Sequence, residues 1–327
     1  MPAQSRIRNI LFFYLLLTIY ICASANAQGI SADHACIAEF DLIPDTIKQK
    51  ISDDFEFVYG HTSHGSQIMT GMDMIQNENS TFVQPYFYEF SDDLGTLGDT
   101  TWVAHLRWRI ENNGYNCAMM SWCGGVSTNT ETGINIYLDK MNQLEGDYPE
   151  VTFIYMTGHL DGSGTDGNLY AMNDLIRSYC LQNNKILFDF ADIESFDPDG
   201  GFYPDGSDAC EWCQDWCAQH DCPSCGSCAH SHCFNCYQKG KAFWWLMARM
   251  TGWSSEIDPP GCGDVNHDNL VNVLDIIFLI DFKFNGGSAP DPMEIGDVDL
   301  NGQVNILDII YLIDYKFKGG PTPACMK

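Results

Sequence analysis

Two stretches near the C-terminus carry aspartate and asparagine at alternating positions, which is the spacing of a calcium-binding loop. Residues 264–275 read DVNHDNLVNVLD, and residues 297–308, which begin 33 positions later, read DVDLNGQVNILD. Calcium takes six to eight oxygen ligands, and a twelve-residue loop supplies them from positions 1, 3, 5, 7, 9 and 12. The sequence therefore predicts two bound calcium ions.

The predicted ligands are side-chain oxygens, except at position 7, which contributes its backbone carbonyl. They are Asp264, Asn266, Asp268, Leu270, Asn272 and Asp275 in the first loop, and Asp297, Asp299, Asn301, Gln303, Asn305 and Asp308 in the second. Position 6, where such a loop turns sharply, is Asn269 in the first copy and Gly302 in the second. Both residue types accept left-handed backbone.

Each loop continues into an apolar helix pattern, DIIFLIDFKFNGG and DIIYLIDYKFKGG, whereas prolines 259 and 260 break any helix before the first loop. Tandem loop–helix repeats of this kind, over residues 262–320, resemble the type I dockerin family. The resemblance implies a calcium-dependent module that docks onto a cohesin-like protein. Loop positions 10 and 11, which are polar in cohesin-binding dockerins, are apolar here: Val273–Leu274 and Ile306–Leu307.

The N-terminus has the pattern of an export signal. Arg6 and Arg8 precede an apolar run over residues 10–22, and Ala25-Asn26-Ala27 forms a cleavage site. We expect a signal peptide over residues 1–27, with an uncleaved membrane anchor as the lesser alternative. Cleavage would leave an exported chain without a membrane span. We therefore predict an extracellular protein, either secreted or associated with the cell surface.

Composition also indicates which partners are disfavoured and in which compartment the protein lies. The formal net charge of −28 disfavours a nucleic-acid partner, because phosphates would be repelled. The fifteen cysteines fit an oxidising compartment, and loss of Cys22 with the signal peptide leaves an even number. Cys262 and Cys325 bracket the calcium repeats, so we expect them to form a disulfide.

Eight cysteines crowd residues 210–236, among them several C-x-x-C pairs and three histidines. This spacing suits either disulfides or structural zinc. We expect disulfides because the chain is exported, and zinc at the Cys/His cluster is the lesser alternative. In either case the segment would hold His230 and His232 near the main domain.

The main domain is expected over residues 36–253, followed by a polar linker at 254–260 and the dockerin-like module at 261–325. Apolar runs predict buried strands over 55–59, 151–156 and 186–190, and helical spacing appears at 134–144, 168–183 and 241–250. Strands alternating with helices indicate a three-layer α/β fold with a parallel sheet. The predicted fold class is thus such a domain plus a small all-α module.

Polar motifs follow the predicted strands, where the active site of an open α/β sheet lies. Gly60-His61-Thr62-Ser63 follows the first strand and Gly158-His159-Leu160-Asp161 the second. Their order is similar to the motifs of the SGNH/GDSL hydrolase superfamily over residues 50–250. The sequence departs from that family in carrying His159 where asparagine stands, and in lacking aspartate three residues before His230 or His232.

The SGNH resemblance implies a serine esterase that acts on carbohydrate esters. Ser63 would attack, His230 or His232 would take its proton, and Gly124 and His159 would help to hold the oxyanion. Three aspartates compete to orient the base: Asp161, Asp189 and Asp192. The interpretation that Ser63 merely caps the next helix stays open. Two other functions stay open: a non-catalytic glycan- or partner-binding assembly protein, and a metal-dependent hydrolase using His61, His64 and His159.

Overall fold

In the described part of the chain, six parallel strands form one sheet in the order β1-β6-β5-β4-β2-β3. The computed structural model describes residues 29–254, 262–266, 271–318, 320, 323 and 325. The predicted signal peptide, linker residues 255–260 and the calcium ligands Asp268 and Leu270 lie outside these residues. The strands are β1 (Ser31–Ala32), β2 (Glu56–His61), β3 (Tyr86–Ser91), β4 (Cys117–Met120), β5 (Thr152–Met156) and β6 (Ile186–Phe188).

Helices cover both faces of this sheet. They are α1 (Asp45–Asp54), α2 (Ser66–Glu78), α3 (Thr101–Asn113), α4 (Glu131–Asp147), α5 (Asn168–Gln182), α6 (Phe190–Ser195), α7 (Glu211–Cys217) and α8 (Cys233–Met250), with a 3₁₀ helix at His34–Leu42. Phe57 and Phe188 point to one face and contact Phe243 of α8. Tyr155 points to the other and contacts Tyr137 of α4. The predicted three-layer α/β fold class is confirmed.

The three predicted strands correspond to β2, β5 and β6, while β1, β3 and β4 were not predicted. Strand β1 precedes residue 36, so the sheet begins before the predicted main domain. Strand β4 has only four residues, CAMM, and is buried throughout, so it shows neither alternation nor β-branched side chains. The last helix of the main domain, α8, begins at Cys233 instead of the predicted residue 241. The imidazole Nδ1 of His232 accepts a hydrogen bond from the Phe234 N–H at its start.

Helices α2 and α8 approach each other closely because glycine faces glycine where they cross. A methyl group at Gly71 would lie 1.8 Å from the carbonyl oxygen of Cys236, and one at Gly240 would lie 2.4 Å from the carbonyl carbon of Gly71. Only hydrogen fits at both positions. The crossing sets the distance between two helices that carry or flank most of the polar groups described below.

Disulfides organise the cysteine-rich segment, as predicted. The eight cysteines pair as Cys210–Cys213, Cys217–Cys222, Cys225–Cys233 and Cys228–Cys236. The predicted disulfide between Cys262 and Cys325 is also present. Between Cys210 and the start of α8 the chain contains one short helix, α7, so covalent links replace much of the packing that a larger core would supply.

The C-terminal module contains α9 (Val273–Ile280), which continues as a π-helical turn over Asp281–Asn285, and α10 (Ile306–Lys318). Besides Ile295, its core is made of equivalent residues from the two repeats: Val265 and Val298, Ile276 and Ile309, Leu279 and Leu312. Each pair is 33 positions apart, like the loops themselves. The sequence repeat is therefore also a repeat of the packing.

We predict that Gly240→Ala destabilises the main domain by about 1–3 kcal/mol, because the added methyl group must push α2 away from α8. Urea unfolding followed by tryptophan fluorescence measures this, since all eight tryptophans precede residue 254. Gly146→Ala in α4 is the matched control, because its methyl group would meet nothing within 4 Å. Equal stability of the two variants would contradict the prediction.

Candidate functional site

The strand order reverses beside β2, which lies between β3 and β4. In open α/β sheets, ligands bind at the carboxyl ends of the strands where the order reverses. Ser63 and His64 follow β2 directly, and Cys123 and Gly124 follow β4. The sheet thus brings these two segments together, although they are far apart in sequence.

Three side chains at this point form a hydrogen-bonded series. His64 Nδ1 lies 3.2 Å from the Sγ of Cys123, and His64 Nε2 lies 3.0 Å from Oδ2 of Asp208. Asp208 follows Ser207, which bridges to Asp161 beyond β5. This is the arrangement of a nucleophile, a base and an acid that orients the base.

The protonation of His64 suits a general base. Burial lowers its pKa to about 4, the hydrogen bond to Asp208 opposes that shift, and the neighbouring His159 and His230 lower the pKa further. At neutral pH the imidazole is therefore uncharged. Its Nε2–H then donates to the Asp208 carboxylate, which leaves the Nδ1 lone pair directed at the Cys123 thiol.

Cys123 differs from the other described cysteines that form no disulfide. Cys36, Cys117 and Cys180 are buried, and burial raises the pKa of each thiol. Cys123 is partly exposed and lies next to an imidazole. The thiolate is the reactive form of cysteine, so accessibility and an adjacent base single out this residue.

Two more imidazole rings stack on His64 and complete a histidine stack of His64, His159 and His230. The ring centroids of His64 and His159 are 3.7 Å apart, and those of His64 and His230 are 4.7 Å apart. His230 has a φ of 60°, an uncommon conformation for a residue with a side chain. The stack fixes the plane of the His64 ring.

The other sequence-predicted residues lie around this series. Ser63 Oγ is 3.4 Å from Cys123 Sγ. Ser63 is not the cap of the next helix, because α2 begins at Ser66 with Gly65 before it. Gly124 adopts a φ of 82°, and a methyl group there would lie 4.0 Å from His159 Nε2.

His159 donates its Nδ1–H to the carbonyl of Leu160 at 2.7 Å. When neutral, it therefore has an unprotonated Nε2, which accepts hydrogen bonds and does not donate to an oxyanion. Asp161 accepts a hydrogen bond from the nearby Ser163 N–H. His232 is engaged at the start of α8, so the structure groups the predicted residues Ser63, His159 and His230 with Cys123 and His64.

The remaining sequence-predicted acids have partners elsewhere. Asp189 accepts two hydrogen bonds from the guanidinium of Arg177 and one from Thr157. Asp192 accepts from His34. On the opposite rim, His61 Nε2 lies 2.9 Å from Glu89. His61 and His64, which the sequence suggests as a metal pair, thus have different partners.

His64, His159 and Asp208 bring possible ligand atoms within 4.8 Å of one another. The two rings, however, are parallel to within 4°. A ring nitrogen directs its lone pair in the plane of the ring, so parallel rings do not aim at one ion. Joint coordination would require one ring to rotate out of the stack.

A depression of about 300 Å³ opens beside Ser63. Its wall includes His61, Glu89 and Phe90, at the carboxyl ends of β2 and β3. A separate cavity of about 220 Å³ lies beyond β5, between Leu160 and Arg177. The depression meets the site through Ser63, whose Oγ lies 3.4 Å from Cys123 Sγ.

The second predicted calcium loop brings together oxygens of Asp297, Asp299 and Asp308, which lie within 4.8 Å of one another. Asp308 is fully buried, and this burial raises the pKa of its carboxyl group. Its oxygens accept hydrogen bonds from the N–H groups of Val298 and Asn305. Gly302 adopts a φ of 83°, as the sharp turn requires.

The first loop shows the same arrangement in its described residues. Asp264 and Asp275 are buried, and Asp275 accepts from the N–H groups of Asn266 and Asn272. In both loops the donor set is oxygen and carries several negative charges in a small volume. Such a set fits calcium, which is a hard cation that prefers oxygen ligands.

Sequence analysis missed Cys123 and Asp208 and gave His64 a different role. Cys123 lies in Ser-Trp-Cys-Gly-Gly next to the predicted Gly124, and it is set apart from the cysteine-rich segment. That isolation is a signal for a free thiol. Asp208 gives no such signal, because it is one of many acids in an acidic loop.

No known protein-family model matches this chain, and no curated protein matches it in sequence. Over the residues that the structure describes, helices are too short or too polar to cross a membrane.

We predict that His64 makes stability depend on pH below neutrality. The pKa of His64 is about 4 in the folded protein and about 6.5 in an unfolded chain, so only the unfolded chain takes up this proton in between. The free energy of unfolding should therefore fall as the pH decreases from about 6.5 to about 4. Urea unfolding at pH 5 and pH 7 should show a smaller fall for His64→Gln. An equal fall in both proteins would refute the assignment of this pH dependence to His64.

Proposed function

We propose that the α/β domain is a cysteine-dependent ester hydrolase, with Cys123 as nucleophile, His64 as base and Asp208 as the acid that orients His64. The observation that supports this most directly is that His64 Nδ1 lies 3.2 Å from Cys123 Sγ while its Nε2 lies 3.0 Å from Asp208. Ser63 Oγ lies 3.4 Å from the sulfur. A thiolate can only accept a hydrogen bond, so in the proposed mechanism the Ser63 hydroxyl donates to it and stabilises it as it forms.

In the proposed reaction, Cys123 Sγ attacks the ester carbonyl carbon while His64 Nδ1 takes the thiol proton. The tetrahedral intermediate collapses to a thioester, and the alcohol leaves with the proton from His64. Water then attacks the thioester and gives its proton to His64, which returns it to the sulfur as the acid departs. The backbone N–H of Gly124 is our candidate donor to the oxyanion.

The substrate class that we propose is esters on carbohydrate. Its support is the resemblance of the C-terminal repeats to dockerins, which are usually attached to enzymes acting on polysaccharides. A serine esterase with Ser63 as nucleophile is the second candidate, favoured by the position of Ser63 on the wall of the depression. The two candidates differ in which residue becomes acylated.

We further propose that the C-terminal module binds two calcium ions and docks onto a cohesin-like protein. Equivalent apolar side chains of both repeats are exposed: Val273 and Ile306, Leu274 and Leu307, Ile277 and Ile310, Phe284 and Phe317. An apolar surface that is repeated in this way is typical of a protein-binding face. Five disulfides in the described residues support export to an extracellular location.

We predict that Cys123→Ala lowers kcat/KM for p-nitrophenyl acetate by about 10³-fold or more, because the nucleophile is lost. Ser63→Ala should lower it by only about fivefold, which corresponds to the loss of one hydrogen bond. Iodoacetamide should alkylate Cys123 faster than the buried thiols.

Cys180→Ala is the matched control, since it removes a buried thiol from the same domain. A large loss in Ser63→Ala with little change in Cys123→Ala would select the serine mechanism. Absence of turnover and of selective alkylation in the unmodified protein would reject both mechanisms.

For the module, we predict that EGTA makes residues 262–325 sensitive to protease in the full mature chain and that calcium restores protection. Without the cation, the buried carboxylates of each loop repel one another. Calorimetric titration should show two calcium ions for each chain. Asp299→Asn should lose one site, whereas Asp314→Asn, which changes an exposed acid of α10 paired with Lys318, should lose none.

Protection that is unchanged by EGTA would refute the calcium assignment. The docking proposal predicts, in addition, that a purified cohesin domain binds only in calcium and that Leu274→Asp combined with Leu307→Asp abolishes this binding. Failure of the cohesin domain to bind the calcium-loaded chain would reject that partner.

A further inference from the structure

A buried ion pair lies beneath the histidine stack and takes no part in the proposed chemistry. Lys239 of α8 and Glu194 of α6 are both fully buried and are paired through Nζ and Oε1. Lys239 Nζ also donates to Oε1 of Gln67 in α2. A buried charge pair without further hydrogen bonds is costly, so the other contacts of these three residues are informative.

Those contacts lead to the two outer histidines of the stack. Glu194 Oε2 accepts the N–H of Leu160, the residue after His159, at 2.8 Å. Gln67 Nε2 donates to the carbonyl of Ala229, the residue before His230, at 2.6 Å. Each contact is made to the backbone, and each is one residue away from an imidazole ring.

The same group also reaches the central ring. The N–H of Gln67 donates to the carbonyl of His64 at 3.0 Å, in the turn that begins α2. Asn235 of α8 donates a further hydrogen bond to Glu194. Segments from three parts of the chain, each bearing one ring of the stack, are thereby joined to a single buried cluster.

We propose that Lys239, Glu194 and Gln67 are positioning residues that hold His159 and His230 stacked against His64. The stacked rings keep the imidazole plane of His64 aligned with both Cys123 and Asp208. This proposal rests on the proposed function for its catalytic consequence, while its structural consequence can be measured independently.

The test is hydrogen exchange measured by mass spectrometry on the full mature chain in calcium, together with turnover of p-nitrophenyl acetate. In Lys239→Met, exchange should rise at least about tenfold in both 157–162 and 228–232, because the tethers to both segments share this ammonium group. We expect kcat to fall about tenfold with KM nearly unchanged, because the base is misaligned while the binding surface remains.

Gln67→Met provides a second variant that removes no charge. It removes the hydrogen bonds of Gln67 with Ala229 and with Lys239 but leaves the Lys239–Glu194 pair and the contact of Glu194 with Leu160. Exchange should therefore rise in 228–232 and stay nearly unchanged in 157–162. Lys241→Met is the matched control, since Lys241 is on the same helix but lies over the rings of Phe40 and Tyr237, away from the cluster.

The outcomes separate the two proposals. The positioning role is wrong, whatever the activity, if Lys239→Met exchanges like Lys241→Met in 157–162 and 228–232. It is also wrong if Gln67→Met exchanges like Lys241→Met in 228–232. If the segments loosen as expected but the unmodified protein neither turns over ester nor shows a reactive Cys123, the positioning role stands and the hydrolase proposal fails. If Lys239→Met unfolds the domain, the selective effect of Gln67→Met decides.

Discussion

The reversal of strand order beside β2 is the constraint on which the candidate site depends. Because β2 pairs with β3 on one side and with β4 on the other, the chain leaves β2 and β4 at neighbouring points of the same edge. His64 and Cys123 can touch only for this reason, since 59 positions separate them in sequence. The aromatic packing of α8 on one face and α4 on the other holds the strands in this register.

Electrostatics sets a second condition on the site. Three imidazoles, a carboxylate and a buried ion pair share a small volume in a strongly acidic protein. Such groups are tolerated when each buried polar atom has a partner, because desolvation otherwise outweighs their attraction. Burial lowers the pKa of Lys239 to about 8, and the charge of Glu194 opposes the shift. The close crossing of α2 and α8 at Gly71 and Gly240 brings Lys239 within hydrogen-bond distance of Gln67.

The two parts of the chain solve the problem of small hydrophobic cores in different ways. The segment at 210–236 depends on disulfides. The C-terminal module has one small core, to which the two repeats contribute equivalent residues. The carboxylates of Asp275 and Asp308 accept hydrogen bonds from backbone N–H groups at the starts of α9 and α10. The proposed calcium ions would neutralise the charge that these partners leave uncompensated.

Local patterns were sufficient to predict several features. The strands β2, β5 and β6, the three-layer class and the repeat were recognised from apolar periodicity and ligand spacing, because each depends on neighbours in sequence or on a pattern that occurs twice. The Cys262–Cys325 disulfide joins residues 63 positions apart and was recognised because these two cysteines bracket the repeats. The short strand β4 was not, because four apolar residues have no distinguishable period.

The partners of individual polar side chains depended on the tertiary structure. The sequence determined that histidine, serine and acids follow the strands, but several pairings were equally consistent with it. Strand order then placed Cys123 beside His64, the Ser207–Asp161 bridge placed Asp208 on the other side of the ring, and the start of α8 engaged His232. Such contacts join residues distant in the chain, so they are decided by packing and by the satisfaction of buried hydrogen bonds, and local sequence carries little information about either.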